Sequence, residues 1–324
     1  MTNCLLVGLG QMGWRYDARS DGVLTHAKAI NEHAHLTLSA AVDPCAQTRT
    51  EFNQAYPDVN TYTSIAEAAT ECQFDWIFLA LPTSLHFSAF NEVLNLKPQV
   101  IVCEKPLAPS LGEASAMVAR AAEQGCLLLI NYIRPHEPYC KNMLAFIREK
   151  NWGDVQKIIV RYGKGVANSA SHFIQLLVQE FGMPSRIRII SANELNLADP
   201  EPDFILEFGD VNAIFLRFDY QCYALSELDF YLQHGAVFYR AMGQQIEYLQ
   251  ALPDQTFPTV KRLQQVRLES TQLINYQRHA LDAYYLLWQE HTNNHNLTNS
   301  ALCSLAVIEE IRAQLLALNA HNVN

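Results

Sequence analysis

Glu104-Lys105-Pro106 follows directly on the apolar run Val100 to Cys103, which reads as a buried strand. A lysine is thereby placed at the carboxyl end of a strand, the edge at which open parallel sheets bind their ligands. Beside a positively charged ring an ammonium gives up its proton more readily, and Lys105 can then exchange a proton with a substrate hydroxyl. An ion pair with Glu104 on the surface is the plainer alternative for the same two residues.

Gly8-Leu9-Gly10-Gln11-Met12-Gly13 stands in the same relation to an earlier apolar run, Cys4 to Val7. Its glycines permit a tight turn, the approach of a pyrophosphate to the backbone and close packing of the next helix, whose first N–H groups then face the phosphates. Outside that context the motif is only a glycine-rich turn. Asp43 ends the run Leu36 to Val42, where its carboxylate can accept hydrogen bonds from an adenosine ribose and would repel a 2'-phosphate, so NAD is favoured over NADP. A capping aspartate before Pro44 is the alternative. Asp43 lies 30 positions beyond Gly13, against a usual spacing of about 20. The surplus is assigned to the polar stretch Arg15 to Leu24, after which a helix resumes at Thr25-His26-Ala27.

These residues need strands and helices to hold them. Over the first 130 or so residues short apolar runs alternate with amphipathic segments, the pattern of βαβ units building a parallel sheet. The strands are expected at Cys4 to Val7, Leu36 to Val42, Trp76 to Leu81, Val100 to Cys103 and Cys126 to Ile130. The crossover helices are expected at Ile65 to Cys72, Ser84 to Leu94 and Ser110 to Gln124. After Arg134-Pro135 come a helix (Tyr139 to Glu149), a strand (Val155 to Tyr162) and a second helix (Ser171 to Phe181). Closely spaced strands follow at Ile187 to Ile190, Phe204 to Phe208, Ala213 to Phe218, Leu228 to Leu232 and Val237 to Arg240. Strands bunched without helices between them imply a mostly antiparallel sheet. Helices from Asn275 to His291 and from Asn299 to Leu318, joined by the polar loop 292–298, close the chain. The fold class is therefore α/β: an N-terminal doubly wound parallel sheet of Rossmann type over 1–133, then an α+β domain on an open, mostly antiparallel sheet over 134–324.

A chain of 324 residues supports two such cores, and 49% hydrophobic with 17% charged residues is ordinary globular usage. With 33 acidic against 23 basic residues the formal charge is -10 and no basic run appears, which argues against a nucleic-acid partner. The eight cysteines include no C-x-x-C pair. Several lie in apolar runs as small core residues, no metal site is read from them, and a reducing cytoplasm is expected. Neither a leader segment nor an apolar stretch of about 20 residues is expected, so no membrane partner is either.

The chain resembles the Gfo/Idh/MocA family of glucose-fructose oxidoreductases, inositol dehydrogenases and rhizopine catabolism proteins. Gly8 to Gly13, Val42-Asp43-Pro44, Ala80-Leu-Pro82-Thr83-Ser-Leu-His86, Glu104-Lys105-Pro106 and Asn131-Tyr132-Ile-Arg134 occur at family-like spacing. Gly153-Asp-Val and Ser171-His172-Phe-Ile ahead of Phe181-Gly182 resemble its second-half motifs. The resemblance implies a pyridine-nucleotide enzyme acting on a secondary alcohol or ketone of a sugar or cyclitol. It implies cofactor contacts from the glycine loop, Asp43, Pro82, Thr83, His86, Glu104 and Lys105. Lys105 would be the catalytic lysine and His172 the proton-transfer histidine, flanking the reacting carbon with Asn168 as a third catalytic residue; these three with Tyr132 and Arg134 would contact the substrate. Many members have Asp where this chain has Asn168 and Gln175; an amide orients a neighbour without stabilising its charge. Asn168 and the Gly10 to Asp17 segment are similar to members acting on nucleotide-linked sugars of surface polysaccharides. An anionic sugar would suit Arg134, Arg161 and Lys164.

A lone histidine at the head of an amphipathic helix is more often structural than catalytic, and the missing carboxylates leave a second class open, a non-enzymatic NAD-binding regulator or sensor. Phe204, Leu206, Phe208, Phe215, Phe218, Phe230 and Tyr231 either fill the second domain's core or form an outer apolar face. The resemblance implies that such a face pairs copies into a homodimer or homotetramer.

Overall fold

The computed structural model describes residues 2–191, 199–291 and 295–322. The chain divides into two units, Met1–His136 with Ile274–Leu302, and Glu137–Leu273 with Cys303–Asn324.

The first unit contains strands β1 (Thr2–Val7), β2 (Leu36–Val42), β3 (Asn60–Tyr62), β4 (Trp76–Leu79), β5 (Val100–Cys103) and β6 (Leu127–Ile130). They lie in the order β3-β2-β1-β4-β5-β6 with every neighbouring pair parallel, the doubly wound arrangement. The intervening helices are α1 (His26–Glu32), α2 (Ala46–Ala55), α3 (Ile65–Glu71), α4 (His86–Leu94) and α5 (Leu111–Glu123). Helices cover both faces of such a sheet, so β4 and β5 are buried at every position and read as unbroken apolar runs.

The second unit carries α6 (Pro138–Arg148), β7 (Val155–Tyr162), α7 (Ser171–Phe181), β8 (Arg186–Ser191), β9 (Asp203–Phe208), β10 (Val211–Arg217), β11 (Glu227–Leu232), β12 (Gly235–Arg240), β13 (Gln245–Pro253) and β14 (Lys261–Ser270). The sheet runs β14-β13-β12-β11-β7-β10-β9-β8, antiparallel except where β10 pairs β7. One row crosses it from Phe204 to Phe215, Val160, Leu228 and Tyr239, and all five side chains belong to the core shared with α6 and α7. Phe204, Leu206, Phe208, Phe215 and Phe230 therefore fill the unit's own interior. Each such burial contributes about 1.5–3 kcal/mol. Phe218 and Tyr231, the other two expected face residues, are half-buried and outside this core, and Tyr231 is edge-on to Phe238.

Two helices complete the chain, α8 (Tyr276–Gln289) and α9 (His295–Asn322). The expected second domain, 134–324, differs from the structure here: α8 belongs to the first unit. Its buried stripe of Gln277, Ala280, Leu281 and Tyr284 recurs at three- and four-residue spacing, and the apolar members join the core of Leu6, Trp76 and Phe78. Of the expected polar loop 292–298, residues 292–294 lie outside the described residues.

Candidate active site

The three glycines of the loop after β1 have three different surroundings. Gly8 has φ +99°, and a Cβ on it would lie 2.4 Å from the Ala80 carbonyl oxygen; one on Gly13 would lie 2.2 Å from that of Gly8. Gly10 is exposed, with nothing within 4 Å of the corresponding position. Turn and close packing thus account for the outer two, and the middle one leaves the backbone open to a ligand. Gln11 is exposed and Met12 half-buried beside it.

The helix expected after this loop is interrupted. Gln11–Arg15 forms one π-helical turn, and the chain then makes an excursion before α1 starts on its Thr25 cap. Asp17, buried at the excursion's base, accepts from the Leu24 and Thr25 N–H groups and the Thr25 hydroxyl at 2.7–2.9 Å. The polar stretch from Arg15 to Leu24 is thus a tied loop, as its composition indicates.

Asp43 accepts from Leu9 N–H (3.0 Å) with one carboxylate oxygen and from Cys45 N–H (2.9 Å) with the other. Arg49 donates to the Asp43 carbonyl at 2.6 Å, and Arg15 donates to Thr48 and pairs with Glu51. Two guanidinium groups therefore attend the first turns of α2, one of them on the main-chain carbonyl of the residue whose carboxylate was expected to repel phosphate.

Glu104 is buried behind half-buried Lys105. His26 and Asn131 hydrogen-bond its Oε1 at 2.9 and 2.7 Å. Burial alone would raise this carboxyl group's pKa; the hydrogen bond and electrostatic attraction of His26, the hydrogen bond from Asn131 and the Lys105 charge together hold it below the ordinary glutamate value. The α8 residue Gln277 reaches both His26 Nδ1 (3.1 Å) and Asn131 (2.9 Å), while the Tyr284 hydroxyl donates to Asn131 Oδ1 at 3.2 Å. Tyr276, also on α8, has its hydroxyl pKa pushed up by burial and by the nearby Glu104 charge. His26, Gln277, Tyr276 and Tyr284 were not selected from the sequence. Only the histidine following a helix-capping threonine offered a signal, since the α8 residues are remote in the chain.

His86 is fully buried, with Nε2 2.8 Å from the Leu81 carbonyl and Nδ1 3.0 Å from that of Pro106. It clasps the loop after β4 to the loop carrying Lys105, so its ring positions these loops. Pro82 is exposed and Thr83 half-buried on the first of them. Tyr132 and Arg134, just past β6, are both buried.

In the second unit a π-helical turn, Val166–Ala170, leads into α7. Asn168 is exposed on the turn and His172 half-buried in the helix's first turn. The structure brings a carboxylate to this turn from elsewhere: Asp199 accepts from the Ala167 and Asn168 N–H groups at 2.8 and 2.9 Å, and Glu201 accepts from Gly165 N–H. Gln175 is buried and donates to Gln179 at 2.9 Å. Arg161 is engaged by Asp229 and Glu227 on the sheet, and Lys164 lies over the Tyr220 ring.

A parallel sheet in this order, a glycine loop open at its middle glycine and a lysine at the end of β5 define a dinucleotide-binding α/β protein carrying a second, mostly antiparallel unit. Residues 2–132 match the model of GFO_IDH_MocA, the oxidoreductase family with an NAD-binding Rossmann fold. Among curated relatives, the uncharacterized oxidoreductase YrbE of Bacillus subtilis is 21% identical over 63% of this chain and 62% of its own. For YgjR of Escherichia coli the identity is 23% over 57% and 63%. An uncharacterized oxidoreductase of Schizosaccharomyces pombe, C26H5.09c, aligns at 28% over 30% of this chain and 26% of its own. The chain thus spans between a quarter and somewhat under two-thirds of these relatives' length. Among solved structures, a putative NADPH-dependent oxidoreductase from Desulfitobacterium hafniense superposes with TM-score 0.78 at 15% identity, over 95% of this chain and 93% of that one. KijD10, a 3-ketoreductase from Actinomadura kijaniata solved with NADP and TDP-benzene, gives 0.77 at 12% identity over 96% and 97%. At these identities the likeness is one of fold. Among the described residues no helix is long and apolar enough to cross a membrane.

Proposed function

We propose that the protein is a nicotinamide-dependent oxidoreductase that interconverts a secondary alcohol and a ketone on a sugar or nucleotide-linked sugar. The observation that carries this reading is the pairing, within one sheet, of a backbone left open at Gly10 with a lysine held at the end of β5. When bound, the nicotinamide ring gives or takes a hydride at the carbinol carbon. The glycine loop and Asp43 hold the dinucleotide, and Lys105 moves the proton of the substrate oxygen. Asn168 and His172 are the second unit's groups for substrate hydroxyls. The TDP ligand of the 3-ketoreductase KijD10 supports a nucleotide-linked sugar.

Either NAD or NADP suits the site. Arg49 donates to the Asp43 carbonyl and Arg15 to Thr48 in the first turn of α2, and guanidinium groups there suit a 2'-phosphate. KijD10 carries NADP. The expectation that NADP is disfavoured is corrected accordingly. Buried thiols, Cys126 among them with its pKa raised by burial to about 12, suit a reducing cytoplasm. Copies would pair through the sheet face that bears Tyr231 and Phe238.

Titration with NADH and NADPH, then a panel of keto-sugars and nucleotide-linked keto-sugars followed by reduced-nicotinamide absorbance, tests the reading. Turnover of at least one member is expected. Tight cofactor binding without turnover of any would favour a sensor, and failure to bind either cofactor would overturn the proposal.

A further inference from the structure

The hydrogen bonds among the polar groups next to Lys105 select one tautomer of His26. Glu104, ionised, can only accept. Asn131 must therefore turn its amide nitrogen toward Glu104, leaving Oδ1 for the Tyr284 hydroxyl. The second hydrogen on that nitrogen goes to Gln277 Oε1. Gln277 then has only its own nitrogen to offer His26 Nδ1. A nitrogen that receives a hydrogen bond carries no proton, so the proton of His26 is on Nε2, where it is donated to Glu104. Reversing Gln277 would set two amide nitrogens against each other, so Asn131 forbids the alternative. His26, Asn131, Gln277 and Tyr284 are each at most 1% exposed, so water does not take the place of any of these partners. The other charged or titratable groups near Glu104 are Lys105, Tyr276 and Cys103.

We propose that Gln277 is a positioning residue for Lys105: it locks His26 as a neutral Nε2–H donor, so that Glu104 keeps its full negative charge, in a fixed orientation, beside the lysine. Were His26 free to become imidazolium, its positive charge would offset much of the carboxylate's field at the Lys105 ammonium. The role of Lys105 rests on the function proposed above; the lock on His26 does not.

Long-range proton–nitrogen NMR of histidine-labelled protein at neutral pH, with His26 assigned from a His26→Asn variant, reads the lock without cofactor or substrate. A neutral ring protonated on Nε2 is expected; an Nδ1 proton or imidazolium overturns the lock. Gln277→Glu, which presents an acceptor to Nδ1, should convert His26 to imidazolium. Gln277→Met should retain NADPH binding, measured by fluorescence, while kcat falls roughly tenfold to a hundredfold with cofactor KM changed less than about twofold. A kcat that stays at the wild-type value in both variants, despite an altered His26 spectrum, overturns the positioning role. If the wild type binds no nicotinamide cofactor, the functional reading fails while the spectrum still decides the lock.

Discussion

The two turns that present polar side chains are fixed by opposite means. In the first unit the segment bearing Lys105 rests on side chains, with His26 and Asn131 on Glu104 and Gln277 behind them. In the second, the turn bearing Asn168 rests on main chain, with Asp199 accepting from two successive N–H groups. A side-chain network sets a charge state as well as a position, because each member's protonation depends on the next. A carboxylate capping backbone N–H groups sets position alone. The function proposed above assigns proton transfer to the first region, and substitutions distinguish the two kinds of support.

The largest effect is expected at Lys105. Lys105→Met keeps the alkyl stem and removes the proton-transferring group, so kcat should fall roughly 10²- to 10⁴-fold with cofactor binding intact. Steady-state kinetics beside a binding titration check this, and a near-native kcat would make Lys105 structural. Asp199→Ala comes next: two N–H groups lose their acceptor, and thermal denaturation should show a loss of about 1–2 kcal/mol with unchanged affinity for NADPH. A change in cofactor affinity there would break the separation of roles. Arg49→Ala should weaken NADPH binding several-fold more than NADH binding, as calorimetry would show; equal losses would mean that Arg49 serves only the Asp43 carbonyl.

The subtlest readout belongs to Glu104, whose pKa in the folded protein lies below the ordinary value. Its ionised form stabilises the fold above the unfolded chain's value of about 4.3, and that contribution is lost as pH falls through the lower folded value. Between those two values, Tm should decline less steeply with acidification in Glu104→Gln than in the wild type. Parallel profiles would show that the network places no charge-dependent stability on Glu104.

Legibility followed burial. β2, β5, β7 and α7 appear at the expected residues because their apolar pattern is continuous or cleanly periodic. The helix α2 was missed because Phe52 is its one buried side chain among the described residues, and β14 because it is an edge strand exposed along nearly its whole length. Neither carries a periodic apolar signal. At the site, Gly8 to Gly13 and Lys105 announce themselves by type and spacing. Gln277 and Asp199 do not: each meets its partners across 146 or 31 positions, and a glutamine on a helix or an aspartate before Pro200 has no distinguishing local context. Asp43 was visible, yet the N–H groups that occupy it come from folding Leu9 back on β2, so its effect on cofactor choice was misjudged.

Isotope transfer tests the central claim most directly. Reduced cofactor deuterated at nicotinamide C4, prepared as each epimer, would be incubated with the best keto-sugar substrate and the product analysed by mass spectrometry. The account predicts one deuterium at the new carbinol carbon from one epimer, and initial incorporation from that epimer roughly 10²- to 10⁴-fold slower with Lys105→Met. Reduction of the sugar without deuterium from either epimer would contradict it.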